Sequence, residues 1–142
     1  MKNISSCFSH NTDDWKTPSK LYDYFVNKLH CIDCFPFHSQ YNEFDREYFN
    51  QYLFVNPPFS KLKDLPNWIH KQYDNHCTIF LLIPSRTDTK YFHQLLEFKP
   101  HIYFIKGRLC FNDSKQAPFP TIILQFNKDL CFQTYSGFIN YD

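Results

Sequence analysis

Apolar residues recur at Leu21, Phe25 and Leu29, with Tyr22 and Val26 beside them. Spacing by four predicts an amphipathic helix over roughly residues 18–29. Thr17 reads as its N-cap and Pro18 as its first helical residue. The rest of the pattern is mostly short apolar runs closed by proline. Residues 31–35 form such a run and Pro36 stops it. Residues 52–55 form another, closed by Asn56-Pro57-Pro58. Residues 78–83 are apolar on both faces, as a buried strand would be, and Pro84 ends them. Further strands are expected at 101–105, before the turn at Gly107, at 108–111 and at 121–126. Residues 130–135 are expected to pair with 121–126 as a hairpin.

Between these runs lie polar or helical stretches. Residues 38–50 make a long connection with one short helix, and 60–66 make a loop. Residues 66–73 read as a helix carrying Trp68 and Ile69. Thr87 or Asp88 caps a helix whose face is Tyr91, Phe92, Leu95 and Leu96, ended by Pro100. Strands alternate with helices at first and predominate at the end. That order predicts an α/β protein with a mainly parallel sheet and an antiparallel C-terminal hairpin. The polar residues 1–13 are expected to be a flexible arm, and 14–142 a single domain.

The sharpest local signal is Leu53-Phe54-Val55-Asn56-Pro57-Pro58-Phe59-Ser60. Proline gives no N–H to a sheet ladder, so the strand ends at Asn56. The following proline holds Asn56 extended. An amide, backbone carbonyls and the Phe59 ring then meet at a strand's carboxyl end, where open α/β sheets bind ligands. A planar amino group suits this corner. Its lone pair is delocalised into its ring and attacks poorly. The Asn56 side-chain oxygen and the Pro57 carbonyl can each accept one of its N–H bonds, favouring a pyramidal nitrogen, while Phe59 stacks on the ring. A base in a duplex has to be flipped out to reach such a place. The bland alternative is a proline turn over a core phenylalanine. The tetrapeptide alone does not choose among adenine, cytosine, RNA bases and glutamine amides.

Composition narrows the partners. The chain has 142 residues, enough for one domain. Its 17 Phe and 10 Tyr exceed what a core of this size needs, so some rings are expected on a binding face. A net charge of +1 argues against wholesale electrostatic coating of nucleic acid and leaves room for a local basic patch. There is no apolar run of membrane-spanning length and no signal-like N-terminus, so a cytoplasmic protein with reduced cysteines is expected. Cys31-Ile-Asp-Cys34 has metal-ligand spacing, but no second pair accompanies it, and the seven histidines show no ligand spacing. No metal site is expected.

Seven segments in order resemble the phage-type DNA N6-adenine methyltransferases, a Dam-like family. They are Asp14-Trp15-Lys16-Thr17-Pro18 with Leu21 and Tyr22; Ile32-Asp33; Phe54-Val55-Asn56-Pro57-Pro58-Phe59-Ser60; Trp68 with Lys71; Leu82-Ile83-Pro84-Ser85-Arg86-Thr87-Asp88-Thr89 with Tyr91-Phe92-His93; Phe104-Ile105-Lys106-Gly107-Arg108-Leu109 with Phe111; and Ala117-Pro118-Phe119-Pro120. The resemblance implies a Rossmann-like methyltransferase domain that uses S-adenosyl-L-methionine to methylate adenine in DNA. It implies that Trp15, Thr17 and Pro18 lie against the methionine end of the cofactor, with Asp33 and Asn56 nearby. It implies that Asn56, Pro57 and Phe59 hold the target base, with Pro58 beside them.

The chain departs from the family at Cys34-Phe35-Pro36-Phe37, where small residues are usual. It has Phe59 where Tyr is commoner, and only two glycines. Small residues let a cofactor approach the backbone, so the destination of the bulky rings decides whether there is room. Glu43 and Asp45 are candidates for the ribose hydroxyls. Lys61, Arg86 and Arg108 are candidates for DNA phosphates, against ordinary surface ion pairs or solvated side chains. The chain is short for a separate target-recognition domain. Short or relaxed sequence specificity, or a homodimer, is expected. Two other readings stay open: a degenerate methyltransferase fold that binds nucleic acid or a host partner, and an enzyme acting on RNA or cytosine.

Overall fold

The computed structural model describes residues 15–36, 42–112, 115–130 and 137–140. The arm expected at 1–13, Phe37 and residues 131–136 lie outside the described residues. The main sheet has six strands: β1 (Ile32–Asp33), β2 (Tyr52–Val55), β3 (Thr78–Pro84), β4 (His101–Lys106), β7 (Thr121–Phe126) and β8 (Gly137–Asn140). A separate two-stranded ribbon joins β5 (Cys110–Phe111) to β6 (Lys115–Gln116). The helices are α1 (Ser19–Tyr22), continuing as a π-helical turn (Asp23–Lys28), α2 (Leu65–Asp74) and α3 (Lys90–Leu96). Short 3-10 helices occupy Glu43–Asp45 and Phe59–Asp64.

The strand order is β1-β2-β3-β7-β4-β8. β1 with β2, β2 with β3, and β4 with β8 are parallel, while β7 runs antiparallel to both β3 and β4. The sheet is therefore mixed, which corrects the expectation of a mainly parallel one. The hairpin expected between 121–126 and 130–135 falls on residues outside the described ones; β7 pairs with β3 and β4, and the last described strand, β8, pairs parallel with β4.

Period-two alternation builds a core on each face. Leu53 and Val55, Ile79, Leu81 and Ile83, and Ile122, Leu124 and Phe126 point to the face covered by α2 and α3. Phe54, Phe80, Leu82 and Ile123 point to the other face, against Leu21 and Phe25 of the first helix and against Leu109, Phe111, Ala117 and Phe119. Gly107 takes φ 88°, a left-handed conformation open to glycine, and turns the chain out of β4 toward the ribbon. The carboxyl ends of β1, β2, β3 and β4 and the start of β7 share one rim. Ser85 N–H donates to the Pro120 carbonyl there at 2.9 Å.

The first helix does not use Thr17 as its cap. Pro18 holds the cap position in an extended conformation, and no side chain bonds to the free N–H groups. Thr89, rather than Thr87 or Asp88, precedes α3. The connection from β1 to β2 is held by α2. Trp68 Nε1 donates to the Glu43 carbonyl at 3.0 Å. Gln72, fully buried, accepts from Tyr48 N–H at 2.8 Å and donates to the Arg46 carbonyl at 3.0 Å. Gln72→Leu keeps the volume but leaves both backbone groups unpaired. Urea denaturation is expected to show a loss of about 2–4 kcal/mol, from two buried groups at ~1–2 kcal/mol each.

Candidate active site

β2 ends at Val55, paired with Leu81 of β3. The next residue, Asn56, is only 8% exposed and Pro57 is buried. Pro58 is extended, and the chain then coils into the Phe59–Asp64 helix, where Lys61 N–H bonds back to the Pro58 carbonyl. The prolines therefore set Asn56 at the rim with its side chain turned toward the segment before α1. Its Nδ2 donates to the Trp15 carbonyl at 2.9 Å and to Thr17 Oγ1 at 3.0 Å. Its Oδ1 is buried and has no partner among the described residues. Both amide protons are engaged, so the orientation of the side chain is set and the acceptor oxygen is left over.

The Trp15–Thr17 segment is held from a second side. Lys16 N–H donates to Asn112 Oδ1 at 3.2 Å, and Asn112 N–H donates to the Lys16 carbonyl at 3.1 Å. Asn112 sits at φ 60°, a left-handed conformation that asparagine tolerates better than most residues. The reciprocal pair joins Lys16 to the turn that follows β5.

Four rings close around the corner. Trp15 stacks on Phe59 with centroids 6.1 Å apart and planes at 25°. Phe111 and Phe119 each meet Trp15 edge-on at 5.5 Å, and Phe119 meets Phe59 at 5.4 Å. Trp15 and Phe59 are half-buried, while Phe111 and Phe119 are buried. Trp15 Nε1 is buried without a partner among the described residues. Sequence reasoning placed Phe59 at this corner and missed Phe111 and Phe119 as site residues. The surplus of aromatics was the available signal, and the fold alone brings positions 59, 111 and 119 together.

Asp33 ends β1 at the neighbouring strand position. Its register partner is Phe54, two residues before Asn56, and Cys34 N–H donates to the Phe54 carbonyl at 3.0 Å. Burial, with help from the Glu43 carboxylate, pushes the Asp33 carboxyl up from 3.8 to about 6. Glu43, 4% exposed, is itself raised by burial. Tyr48 O–H donates to its Oε2 at 3.1 Å and Arg46 approaches its Oε1 at 3.6 Å, both opposing that shift. Asp45 is exposed.

Of the bulky residues after Asp33, Cys34 and Phe35 pack on the α2 side of the sheet. Cys34 is fully buried among the residues under α2. The Phe35 ring turns to the same side, against Phe44 at 5.2 Å and Trp68 at 5.4 Å. Cys31 packs on the opposite face of the sheet, so the two thiols of the Cys-x-x-Cys spacing are divided between two cores. Burial raises both, Cys31 to about 11.

Lys61, Arg86 and Arg108 follow β2, β3 and β4 on the same rim. Lys61 and Arg108 are exposed and Arg86 is half-buried. Three strand steps separate β2 from β4, roughly 14 Å at ~4.8 Å per step.

A family model described as DNA N-6-adenine-methyltransferase (Dam) matches residues 5–121 of the chain. No curated protein and no solved structure matches it.

Asn112→Ala removes one arm of the Lys16 clamp and the tolerance for φ 60°. Methyl transfer is expected to fall about tenfold, with a modest loss in thermal stability, the transfer loss corresponding to ~1.4 kcal/mol of positioning. For Asp33, the native carboxyl keeps its proton between pH 3.8 and about 6 while the unfolded chain has released it. Stability therefore declines as pH rises through that window. Asp33→Asn is expected to raise the urea midpoint above pH 6, with the gain vanishing as pH approaches 3.8.

Proposed function

From the premise that the chain belongs to the DNA N-6-adenine-methyltransferase (Dam) family, we propose that Asn56 is the residue that receives the amino group of the target base. The reaction is the S-adenosylmethionine-dependent transfer of a methyl group to N6 of adenine in DNA. Bound at the rim, S-adenosylmethionine supplies a methyl group activated by its sulfonium. The rest is the work of the chain's own residues.

The observation that carries the reading is the state of the Asn56 amide. Its two N–H bonds go to Trp15 and Thr17, and its Oδ1 is buried and unpaired among the described residues. A buried acceptor without a donor is unfavourable by about 1–3 kcal/mol, and an incoming amino group relieves that. Accepting an N6–H bond concentrates electron density on the nitrogen and turns its lone pair outward. The Pro57 carbonyl takes the second N–H bond. Phe59 stacks on the purine and holds its plane, with Pro58 stiffening the turn between them. The adenine enters flipped from its duplex. Lys61, Arg86 and Arg108 contact phosphates along the rim.

The residues present fit the cofactor. Phe35 packs away under α2, so the rim beyond Asp33 stays clear of its ring. Asp33, Asn56 and the Thr17-Pro18 turn would hold the cofactor. A carboxylate raised to about 6 is favoured in its charged form by a cationic ligand. No helix among the described residues is long and apolar enough to cross a membrane. We read the chain as working in the host cytoplasm with DNA as partner, at a short or relaxed recognition site or as a homodimer.

The test is chemical. DNA is treated with the protein and S-adenosylmethionine, digested, and its nucleosides weighed by mass spectrometry. N6-methyldeoxyadenosine is expected. Methyl found on cytosine, or only in RNA, would overturn the assignment. Asn56→Ala is expected to lower the rate at least about 1,000-fold with the thermal transition retained.

A further inference from the structure

Two buried polar atoms in the corner lack partners among the described residues, and they are of opposite kind. Asn56 Oδ1 is an acceptor and Trp15 Nε1 is a donor. They belong to residues joined directly, since Asn56 Nδ2 donates to the Trp15 carbonyl at 2.9 Å. The Trp15 indole also lies on Phe59, three residues past Asn56, at 6.1 Å. Lys16 is clamped to Asn112, so the backbone that carries the indole is fixed beside the site. Leaving one such atom unpaired is already unfavourable by about 1–3 kcal/mol. An unpaired donor and acceptor in one corner suit a ligand edge that offers the reverse pair.

We propose that Trp15 is a specificity-determining residue of the base pocket, its indole N–H donating to a ring nitrogen that flanks the adenine amino group. The inference rests on the reading that Asn56 Oδ1 accepts from that amino group. Adenine offers an N–H donor at N6 with acceptors at N1 and N7 on either side. Guanine and thymine present a carbonyl beside a ring N–H on their pairing edges, which sets acceptor against acceptor and donor against donor. Cytosine has the right polarity, but its single ring covers less of the Phe59 face on which the purine stacks. Trp15 thus adds to the cofactor-side placement of the Trp15–Pro18 segment a direct hand in choosing the base.

The experiment pairs a variant with altered substrates. Trp15→Phe keeps an aromatic ring and removes the N–H. The methylated site is located in product DNA, and duplexes are made with adenine, 1-deazaadenine or 7-deazaadenine at the target. Wild-type protein is expected to lose about tenfold in kcat/KM on one of the two analogues, the ordinary worth of a neutral hydrogen bond. Trp15→Phe is expected to show that loss already with adenine and no further loss on the same analogue.

An identical analogue-to-adenine ratio in the two proteins would overturn the proposal, the N–H then merely facing the Phe111 or Phe119 ring. Full activity in Asn56→Ala would instead sink the underlying reading. An inactive Asn56→Ala with an uncoupled Trp15→Phe removes this inference alone.

Discussion

The corner depends on one side-chain amide. Asn56 Nδ2 bridges the Trp15 carbonyl and the Thr17 hydroxyl, across 41 and 39 residues of chain. That bridge draws the segment before the first helix onto the end of β2. It seats the indole against Phe59 and leaves Oδ1 with no partner among the described residues. The prolines at 57 and 58 matter because they fix where this amide stands. They end the ladder and remove the backbone freedom that would let Asn56 turn into the core.

The topology explains why distant segments converge there. β7 reverses direction between β3 and β4, so its first residues stand on the rim where β2, β3 and β4 finish. Phe119 arrives just ahead of β7, and Phe111 arrives through the ribbon that leaves β4 at Gly107. Two rings far from Phe59 in sequence thereby pack on it. The same arrangement places Lys61, Arg86 and Arg108 on one side of the sheet without any basic run in the sequence.

Local chemistry was legible and pairing was not. The i+4 spacing of Leu21, Phe25 and Leu29 located the first helix, and proline punctuation located the ends of β2 and β3 within a residue. The ordered segments from Trp15 to Pro120 located the family. The reversal of β7 was hidden, because Thr121–Phe126 is apolar on both faces and reads the same in either direction. Thr17 was misplaced for a related reason. A threonine before a proline carries a capping signature, yet Asn56 competes for its hydroxyl, and that competitor is visible only in three dimensions. The segment Cys34-Phe35-Pro36-Phe37 looked obstructive in one dimension. The Phe35 ring has somewhere to go because α2 presents Trp68 beneath it.

The partners of residue 56 also explain why it is an asparagine. Trp15 offers a carbonyl, so residue 56 must donate. An aspartate would set its oxygens against that carbonyl, with only the Thr17 hydroxyl free to turn and donate in reply. The amide resolves this by donating through nitrogen and keeping one neutral acceptor. A neutral acceptor is also cheaper to desolvate than a carboxylate in a corner walled by Trp15, Phe59, Phe111 and Phe119. The negative charge of the rim sits one strand away, on Asp33, where burial already strains it toward its protonated form. The division has a chemical logic. If Asn56 receives the amino group as proposed, electron density without full charge would face that poorly nucleophilic nitrogen, and the carboxylate that gains from a cation would stand one strand away.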